Sequence, residues 1–452
     1  MSNEKRSSFT GKLGFVLAAA GSAVGLGNLW RFPYLAAKYG GGIFLLVYII
    51  LAVTFGFALM IGEIAIGRKT GLSAIGAYNK LNKKFTFVGW LAALIPAIIL
   101  PYYSVIGGWV MHYLSTYLTP GGAVAAAGDA FFGDFVSNNT TPIIWFCIYL
   151  GLTALVVLAG VEKGIEKASK FMMPILVVLS IFIAGYSVTR PGALDGVIYY
   201  LKPDFSAFSV TTVLAAMGQL FYSMSLSMGI MITYGSYMKK DVSIESSVKQ
   251  IELFDTGIAF MAGLMIIPAV FSFSGGIPEK PGPGLMFVTL PKVFDSMAGG
   301  TIIGVVFFLL VLFAALTSSI SLMETVVSVI CDKFKVKRTT SCIIVLLFSI
   351  ALGLVSCFGF SIWSHIKPLG LDDILTFFDF ITNSVMMPIT AFFTCIFIGY
   401  VIKTKAISDE VELTGTFKRK RLFEIIIKYI APVFIVLILI SSVLDAFGIM
   451  KI

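Results

Sequence analysis

The pattern of apolar and polar positions divides the chain into long apolar stretches joined by short polar segments. A helix that crosses a bilayer needs about 20 largely apolar residues, and eleven stretches reach that length. The predicted spans cover residues 12–37, 41–67, 86–116, 142–160, 167–187, 209–237, 248–274, 299–330, 340–358, 371–402 and 422–448. Because no polar linker of domain size separates them, residues 1–452 are predicted to form a single all-α membrane domain.

Two of the predicted spans contain residues that weaken a helix. The first carries three glycines, a serine and an asparagine between residues 21 and 28, and the sixth carries the run FYSMSLSMG at residues 221–229. Glycine costs a helix about 1 kcal/mol, and serine offers the backbone other hydrogen-bond partners. The two segments lie five helices apart, which predicts an inverted repeat. The first repeat would cover residues 12–187 and the second would cover residues 209–402. An extra C-terminal helix would cover residues 422–448.

Interrupted helices in corresponding positions of two repeats indicate a binding site near the middle of the membrane. Close packing of helices through small residues is the alternative explanation. Either segment alone is compatible with packing, whereas the pair at this spacing favours a site.

The composition indicates that lipid is the main solvent of the chain. Apolar residues make up 58% and charged residues 13%, against roughly 25% charged in soluble domains. The net charge of +9 does not indicate nucleic acid binding, because the basic residues lie in short loops between apolar stretches. With the N-terminus inside, 24 of the 33 lysines and arginines are cytoplasmic and 8 are external. This asymmetry predicts a cytoplasmic N-terminus and an external C-terminus.

The sequence lacks the usual signals of metalloproteins, enzymes and nucleotide-binding proteins. The five cysteines show no metal-ligand spacing, and His112 and His365 are isolated, so neither zinc nor heme is expected. There is no pairing of nucleophile and base, so no catalytic residue is assigned and no enzyme is predicted. A nucleotide-binding loop is also missing from the sequence, so no nucleotide-driven activity is predicted.

The start of the chain imitates a secretory signal peptide, with three basic residues before an apolar run. Cleavage there would remove half of a glycine-rich motif that continues to Pro33. We therefore expect this segment to remain as the first membrane span.

An unwound helix inside a membrane must line a polar cavity, because lipid cannot satisfy free backbone groups. Freed carbonyls can coordinate a cation, and the amides of a half-helix N-terminus can bind a carboxylate. Asn28 adds a side-chain oxygen to the first break, and Thr317 and Ser318 in the eighth span add hydroxyls. Neutral oxygen ligands favour a monovalent cation over calcium. The alternative for the two hydroxyls is bonding to their own helix.

Three acidic residues fall inside apolar spans, where a charge needs a partner. Glu63 is expected to bond the free amides of an unwound neighbour and so to join two helices. Asp255 and Asp379 are expected to have functional roles.

Four segments together resemble the neurotransmitter:sodium symporter family. They are GSAVGLGNLWRFP at Gly21–Pro33, the pair Tyr102-Tyr103, GQLFYSMSLSMG at Gly218–Gly229, and Ala314–Ser319. The resemblance covers essentially the whole chain and follows the family's order. It implies the leucine-transporter fold, with five plus five helices in inverted repeat and broken first and sixth helices. An eleven-helix amino acid transporter of the bacterial inner membrane is implied, working by alternating access and with a monomer sufficient for transport.

The resemblance also implies two sodium ions, with no other metal, and roles for individual residues. Sodium site one would consist of Ala23, Asn28, Ser223 and Asp255, together with the carboxylate of the substrate. Sodium site two would consist of Gly21, Val24, Ala314, Thr317 and Ser318. The substrate would contact Ala23, Gly25, Gly27, Ile99, Tyr103, Tyr222, Ser225, Met228, Ser318 and Leu322. The outer gate pair would be Arg31 and Asp379 and the inner pair Arg6 and Asp332, with Phe9 where the family usually has tryptophan.

Two departures from the family pattern refine the prediction. Monoamine carriers have an aspartate where this chain has Gly25, so a substrate that brings its own carboxylate is expected. Asp255 stands where asparagine is usual, and Ala259 where chloride-dependent members have serine, although Tyr48, Gln219 and Ser223 are retained. A fixed carboxylate can replace chloride as counter-charge to sodium, so chloride-independent transport is predicted.

The predicted pocket walls carry no charge, which favours neutral substrates with hydrophobic or aromatic side chains. Two alternatives remain open at this point. One is a proton-coupled or antiport carrier on the same fold, with Asp255 or Glu63 titrating. The other is an amino acid sensor that does not transport, although predicted gates on both faces argue against it.

Overall fold

The computed structural model describes residues 7–278 and 282–448, and nearly all of this part is helical. In chain order the helices are α1 Lys12–Ala23, α2 Gly27–Lys38, α3 Gly42–Thr70, α4 Ala74–Leu81, α5 Lys83–Tyr117, α6 Gly122–Ala126, α7 Phe131–Ser137, α8 Thr141–Leu158, α9 Val161–Val188, α10 Ala193–Leu201, α11 Val210–Ser223, α12 Ile230–Ser236, α13 Ile244–Ser274, α14 residues 285–295, α15 Gly300–Phe334, α16 Arg338–Phe358, α17 Ile374–Val401, α18 Lys403–Val411 and α19 Lys420–Ala446.

The described residues contain nine helices that are long and apolar enough to cross a membrane. A tenth span is formed by α1 and α2, which meet at a bend of 52°. The predicted sixth span consists of two shorter helices, α11 and α12, separated by residues 224–229. Length and composition thus support ten spans, and the count of eleven stays a prediction.

Helix ends in this fold coincide with residues that stabilise them. Ser209 precedes α11, and its hydroxyl accepts a hydrogen bond from the Thr212 amide at 3.1 Å. Asp373 caps α17 in the same way through the Thr376 amide at 2.7 Å. Gly71 follows α3 with φ +67°, a left-handed conformation that ends many helices.

The bundle has an apolar core that also contains polar side chains, and large apolar side chains cover much of its surface. Leu155 on α8, Phe171 on α9 and Leu253 on α13 are 64–73% exposed, as expected for surfaces that face lipid. Asn28 and Asp255, in contrast, are completely buried. The broken helices occupy this interior: α1 packs against α13 and α15, and α12 packs against α3.

Candidate substrate and ion site

The first helix break consists of a few residues whose amides are hydrogen-bonded. Helix α1 ends at Ala23, and Val24 follows in an extended conformation (φ −74°, ψ 105°). The Gly25 amide donates to the Asn28 Oδ1 atom at 3.1 Å, and the Leu26 amide donates to the Tyr103 hydroxyl at 3.2 Å. The Val24 amide donates to the Ala20 carbonyl, so all three amides of the unwound segment have partners inside the membrane domain.

The second helix break contains two serines in the left-handed conformation. Ser225 has φ 52° and Ser227 has φ 63°, a region that costs a residue with a Cβ roughly 1–2 kcal/mol. The Ser225 hydroxyl donates to the Ser22 carbonyl at 2.9 Å, which joins the two breaks. The Ser227 amide donates to the Glu63 carboxylate at 2.7 Å. Glu63 thus binds a free amide of an unwound neighbour, as the sequence predicted.

A cavity lies between the two breaks. All ten residues predicted to contact the substrate line it: Ala23, Gly25, Gly27, Ile99, Tyr103, Tyr222, Ser225, Met228, Ser318 and Leu322. Ser22, Leu26 and Ile230 also line the cavity and were missed, although each lies next to or near a predicted residue in the chain. The lining contains no charged side chain.

Glycine is required at two positions of the cavity wall because other side chains approach closely. A Cβ at Gly25 would lie 2.7 Å from the Ser318 hydroxyl oxygen and 2.9 Å from the Tyr103 hydroxyl oxygen. A Cβ at Gly27 would lie 2.4 Å from the Tyr222 ring. The bare backbone at Gly25 therefore leaves two hydroxyl groups directed at the unwound segment.

The residues predicted for sodium site one come together around the Asp255 carboxylate, which is completely buried. Its Oδ1 atom accepts hydrogen bonds from the Asn28 Nδ2 atom at 2.8 Å and the Ser223 hydroxyl at 2.7 Å. Its Oδ2 atom accepts from the Tyr48 hydroxyl at 3.1 Å. Ala23 is the last residue of α1, where carbonyls lack the usual helical donors.

This cluster also contains two of the residues retained from the family's chloride site, Tyr48 and Ser223. Their hydroxyl oxygens lie 3.0 Å apart. The third, Gln219, donates to the Gly27 carbonyl at 2.9 Å. Its buried Oε1 atom has no hydrogen-bond partner within the described residues.

The residues predicted for sodium site two also converge. The Ser318 hydroxyl lies 3.4 Å from the Gly21 carbonyl oxygen and 3.3 Å from that of Val24. The Thr317 hydroxyl bonds the Ala314 carbonyl at 3.0 Å, which is the helix-internal bond expected as the alternative role. A Cβ at Gly21 would lie 3.1 Å from the Thr317 Cβ atom. Carbonyl and hydroxyl oxygens thus gather between α1 and α15, without a carboxylate among the predicted set.

Arg31 and Asp379, the predicted outer gate pair, line a second cavity of about 850 Å³, which Tyr222 also lines. The Arg31 guanidinium lies 5.4 Å from the centre of the Tyr222 ring. Within the described residues, no ion pair shorter than 4.0 Å joins Arg31 to Asp379. Asp379 instead accepts hydrogen bonds from Tyr102 at 3.2 Å and Asn383 at 2.6 Å, two partners that the sequence did not predict.

The predicted inner gate is only partly described. Arg6 lies outside the described residues, whereas the Asp332 carboxylate accepts a hydrogen bond from the Ser73 amide at 2.7 Å. Phe9 is buried, with its ring centre 5.6 Å from that of Tyr234 and 6.2 Å from that of Tyr237.

Two broken helices that face each other across a cavity inside the membrane domain are typical of a membrane transporter. A sequence profile described as the sodium:neurotransmitter symporter family matches residues 6–131 and 134–449. The chain belongs to this family of multi-pass transporters, whose members are not enzymes.

Known proteins similar to the chain agree with this assignment. An uncharacterized sodium-dependent transporter of Bacillus subtilis is 35% identical, over 98% of this chain and 99% of its own. The sodium-dependent dopamine transporter of Bos taurus is 29% identical, over 78% of this chain and 58% of its own. The crystal structure of MhsT in complex with L-phenylalanine matches with a TM-score of 0.87 and 38% identity, covering 97% of this chain and all of that one. The fold is therefore that of the leucine transporter.

Proposed function

We propose that the protein is a symporter that imports neutral, hydrophobic or aromatic L-amino acids with two sodium ions by alternating access. The observation that carries this proposal is the cavity between the two helix breaks. Polar backbone and hydroxyl groups line one part of it, apolar side chains line the rest, and none of its lining side chains is charged.

The polar part of the cavity suits the carboxylate of an amino acid. Gly25 contributes no side chain, and the hydroxyls of Tyr103 and Ser318 lie beside it. A monoamine would leave sodium site one without the carboxylate that an amino acid supplies. The proposed role of Tyr103 is to donate a hydrogen bond to that carboxylate.

The apolar part of the cavity suits a hydrophobic side chain. Ile99, Tyr222, Met228, Ile230 and Leu322 line it, and the flexible methionine can adapt to several shapes. MhsT, which shares 38% of its sequence with this chain, was solved with L-phenylalanine. This similarity supports an aromatic or large aliphatic amino acid as the substrate.

Two proposed sodium sites differ in charge. Site one includes the Asp255 carboxylate, whereas the residues proposed for site two offer carbonyl and hydroxyl oxygens alone. Hard oxygen ligands of low total charge suit a monovalent cation. Sodium would bind as a transported ion, and no other metal is proposed.

Uptake into proteoliposomes tests the proposal. We expect accumulation of phenylalanine, leucine and related amino acids when sodium is outside, and none when choline or potassium replaces sodium. Dopamine and lysine serve as competitors that should not inhibit. Accumulation driven by a proton gradient without sodium would favour the proton-coupled alternative, and sodium-dependent binding without uptake would favour the sensor.

We also propose that transport does not require chloride, because Asp255 supplies a fixed negative charge next to sodium site one. Its carboxylate already accepts hydrogen bonds from Tyr48 and Ser223, two residues retained from the chloride site. Replacing chloride by gluconate should leave uptake unchanged. In Asp255→Asn, sodium affinity should fall at least tenfold and respond to chloride. A large loss of wild-type uptake in gluconate would contradict this proposal.

The remaining proposals concern the whole chain. The excess of basic residues on one side supports a cytoplasmic N-terminus and an external C-terminus in a bacterial inner membrane. The two helix breaks support repeats over residues 12–187 and 209–402, with an extra helix over residues 422–448. A monomer contains all the proposed site residues.

A further inference from the structure

Residues 7–14, called the strap below, comprise the segment before α1 and the first residues of that helix. Phe9 anchors the strap: its side chain is 1% exposed, and its amide donates to the Tyr237 carbonyl at 3.1 Å. The Thr10 carbonyl accepts a hydrogen bond from the Lys239 ammonium at 2.8 Å. The strap thus contacts α12 and the segment that follows it.

A buried carboxylate fixes the strap on its other side. Glu166, near the start of α9, has a side chain that is 2% exposed. The Thr10 amide donates to its Oε2 atom at 2.8 Å, and the Thr10 hydroxyl donates to its Oε1 atom. Lys170, one turn further along α9, pairs with Oε1 at 2.7 Å. Both oxygens of Glu166 therefore have partners.

The fit between Glu166 and α1 depends on a residue without a side chain. A Cβ at Gly14 would lie 2.2 Å from the Glu166 Oε1 atom and 2.3 Å from its carboxyl carbon. The carboxylate therefore occupies the space that a side chain at position 14 would fill. This close packing distinguishes Glu166 from a surface ion pair, which holds a segment weakly.

We propose that Glu166 is a positioning residue that holds the strap on α9 and thereby keeps the cavity closed towards the side where α1 begins. This proposal rests on the proposed transport function, because only a transporter has to open its cavity on that side. Release requires Thr10 to separate from Glu166. Lys170, whose side chain is 41% exposed, stays on the same helix as Glu166 and keeps the carboxylate paired after the strap has left. The contact can therefore open and close repeatedly.

Hydrogen–deuterium exchange of the purified full-length protein tests the contact directly. In Glu166→Ala, amide exchange in residues 7–14 should be at least tenfold faster than in the wild type. Glu162→Ala is the matched control, because Glu162 lies on the same segment, is exposed and forms no hydrogen bond or ion pair within the described residues. Equal exchange in Glu166→Ala and the wild type would overturn the proposal.

A double-mutant cycle separates the specific contact from general loss of stability. Gly14→Ala alone should also raise exchange of the strap, because its methyl group displaces the carboxylate. Added to Glu166→Ala, the same change should have less than a twofold effect, since the space is then free. Additive effects of the two substitutions would contradict a direct contact.

The kinetics of amino acid uptake provide the third test. Glu166→Ala should raise the KM for external substrate by about tenfold and change the maximal rate less, because fewer molecules are closed on the inner side. An unchanged KM, with faster strap exchange, would overturn the link to closure. If strap exchange responds as expected but no amino acid is taken up even by the wild type, the proposed function fails and the contact itself stands.

Discussion

Gly25, which has no side chain, determines much of the chemistry at the cavity. At Gly25 the backbone, the Tyr103 hydroxyl and the Ser318 hydroxyl come within a few ångströms of one another. Polar groups that converge on bare backbone favour a ligand that supplies its own charge. The substrate carboxylate would then be shared between these groups and sodium, and any atom added at position 25 would compete with it.

Gly25→Ala should therefore weaken substrate binding. The added methyl carbon would lie 2.7 Å from one hydroxyl oxygen and 2.9 Å from the other, and such overpacking costs typically 1–3 kcal/mol. We expect the KM for phenylalanine to rise at least tenfold, measured by sodium-driven uptake. Gly151→Ala is the control, since a Cβ there meets no atom within 4 Å. An unchanged KM in Gly25→Ala would exclude a carboxylate at this position.

At the scale of the helices, the second break depends on local conformations that serine disfavours. Ser225 and Ser227 are both left-handed, but their side chains differ in use. The Ser225 hydroxyl donates to the Ser22 carbonyl across the two breaks. The buried Ser227 hydroxyl has no partner within the described residues. Comparing the two serines therefore distinguishes the free-energy cost of the left-handed conformation, which both share, from the contribution of the hydrogen bond, which only Ser225 makes.

Substituting each serine by glycine tests this separation. Ser227→Gly should keep uptake and leave the melting temperature unchanged or higher, because relief of the left-handed strain offsets the greater chain entropy of glycine. Ser225→Gly gains the same relief but loses the bond to Ser22, so its KM should rise several-fold. Similar loss of uptake in both variants would contradict this assignment.

The helix breaks and the cavity lining could be predicted from sequence because their signals are local. Runs of glycine and serine mark both breaks, and the family motifs contain most of the residues that line the cavity. The contact between Thr10 and Glu166 joins residues 156 positions apart, and neither residue belongs to a motif. The hydrogen bond from Tyr102 to Asp379 likewise joins residues 277 positions apart. Such pairs depend on how distant helices pack, which a single sequence does not specify.

At the scale of the whole molecule, the proposed coupling depends on charge moved across the membrane. A neutral amino acid carried with two sodium ions moves two positive charges inward per cycle. Each charge contributes about 2.3 kcal/mol per 100 mV. Two charges therefore supply about 5 kcal/mol at 100 mV, on the order of a thousandfold accumulation before any sodium gradient.

The number of sodium ions can be read from this dependence on voltage. In vesicles with equal sodium on both sides, an inside-negative potential of about 60 mV should raise steady-state accumulation of phenylalanine about a hundredfold for two charges. One charge would give about tenfold. A potassium gradient with valinomycin sets the potential, and vesicles without a gradient are the control.

Asn28 and Ser223 line the cavity and also contact the Asp255 carboxylate, so substrate and sodium would share a wall of the same chamber. Thermodynamic linkage then requires reciprocity: the factor by which sodium raises the affinity for amino acid equals the factor by which amino acid raises the affinity for sodium. In a cell that is poor in amino acids, the carrier would thus hold sodium at site one less firmly and cycle less often with ions alone. The shared wall would in this way limit use of the sodium gradient in the absence of substrate, without a separate regulatory site.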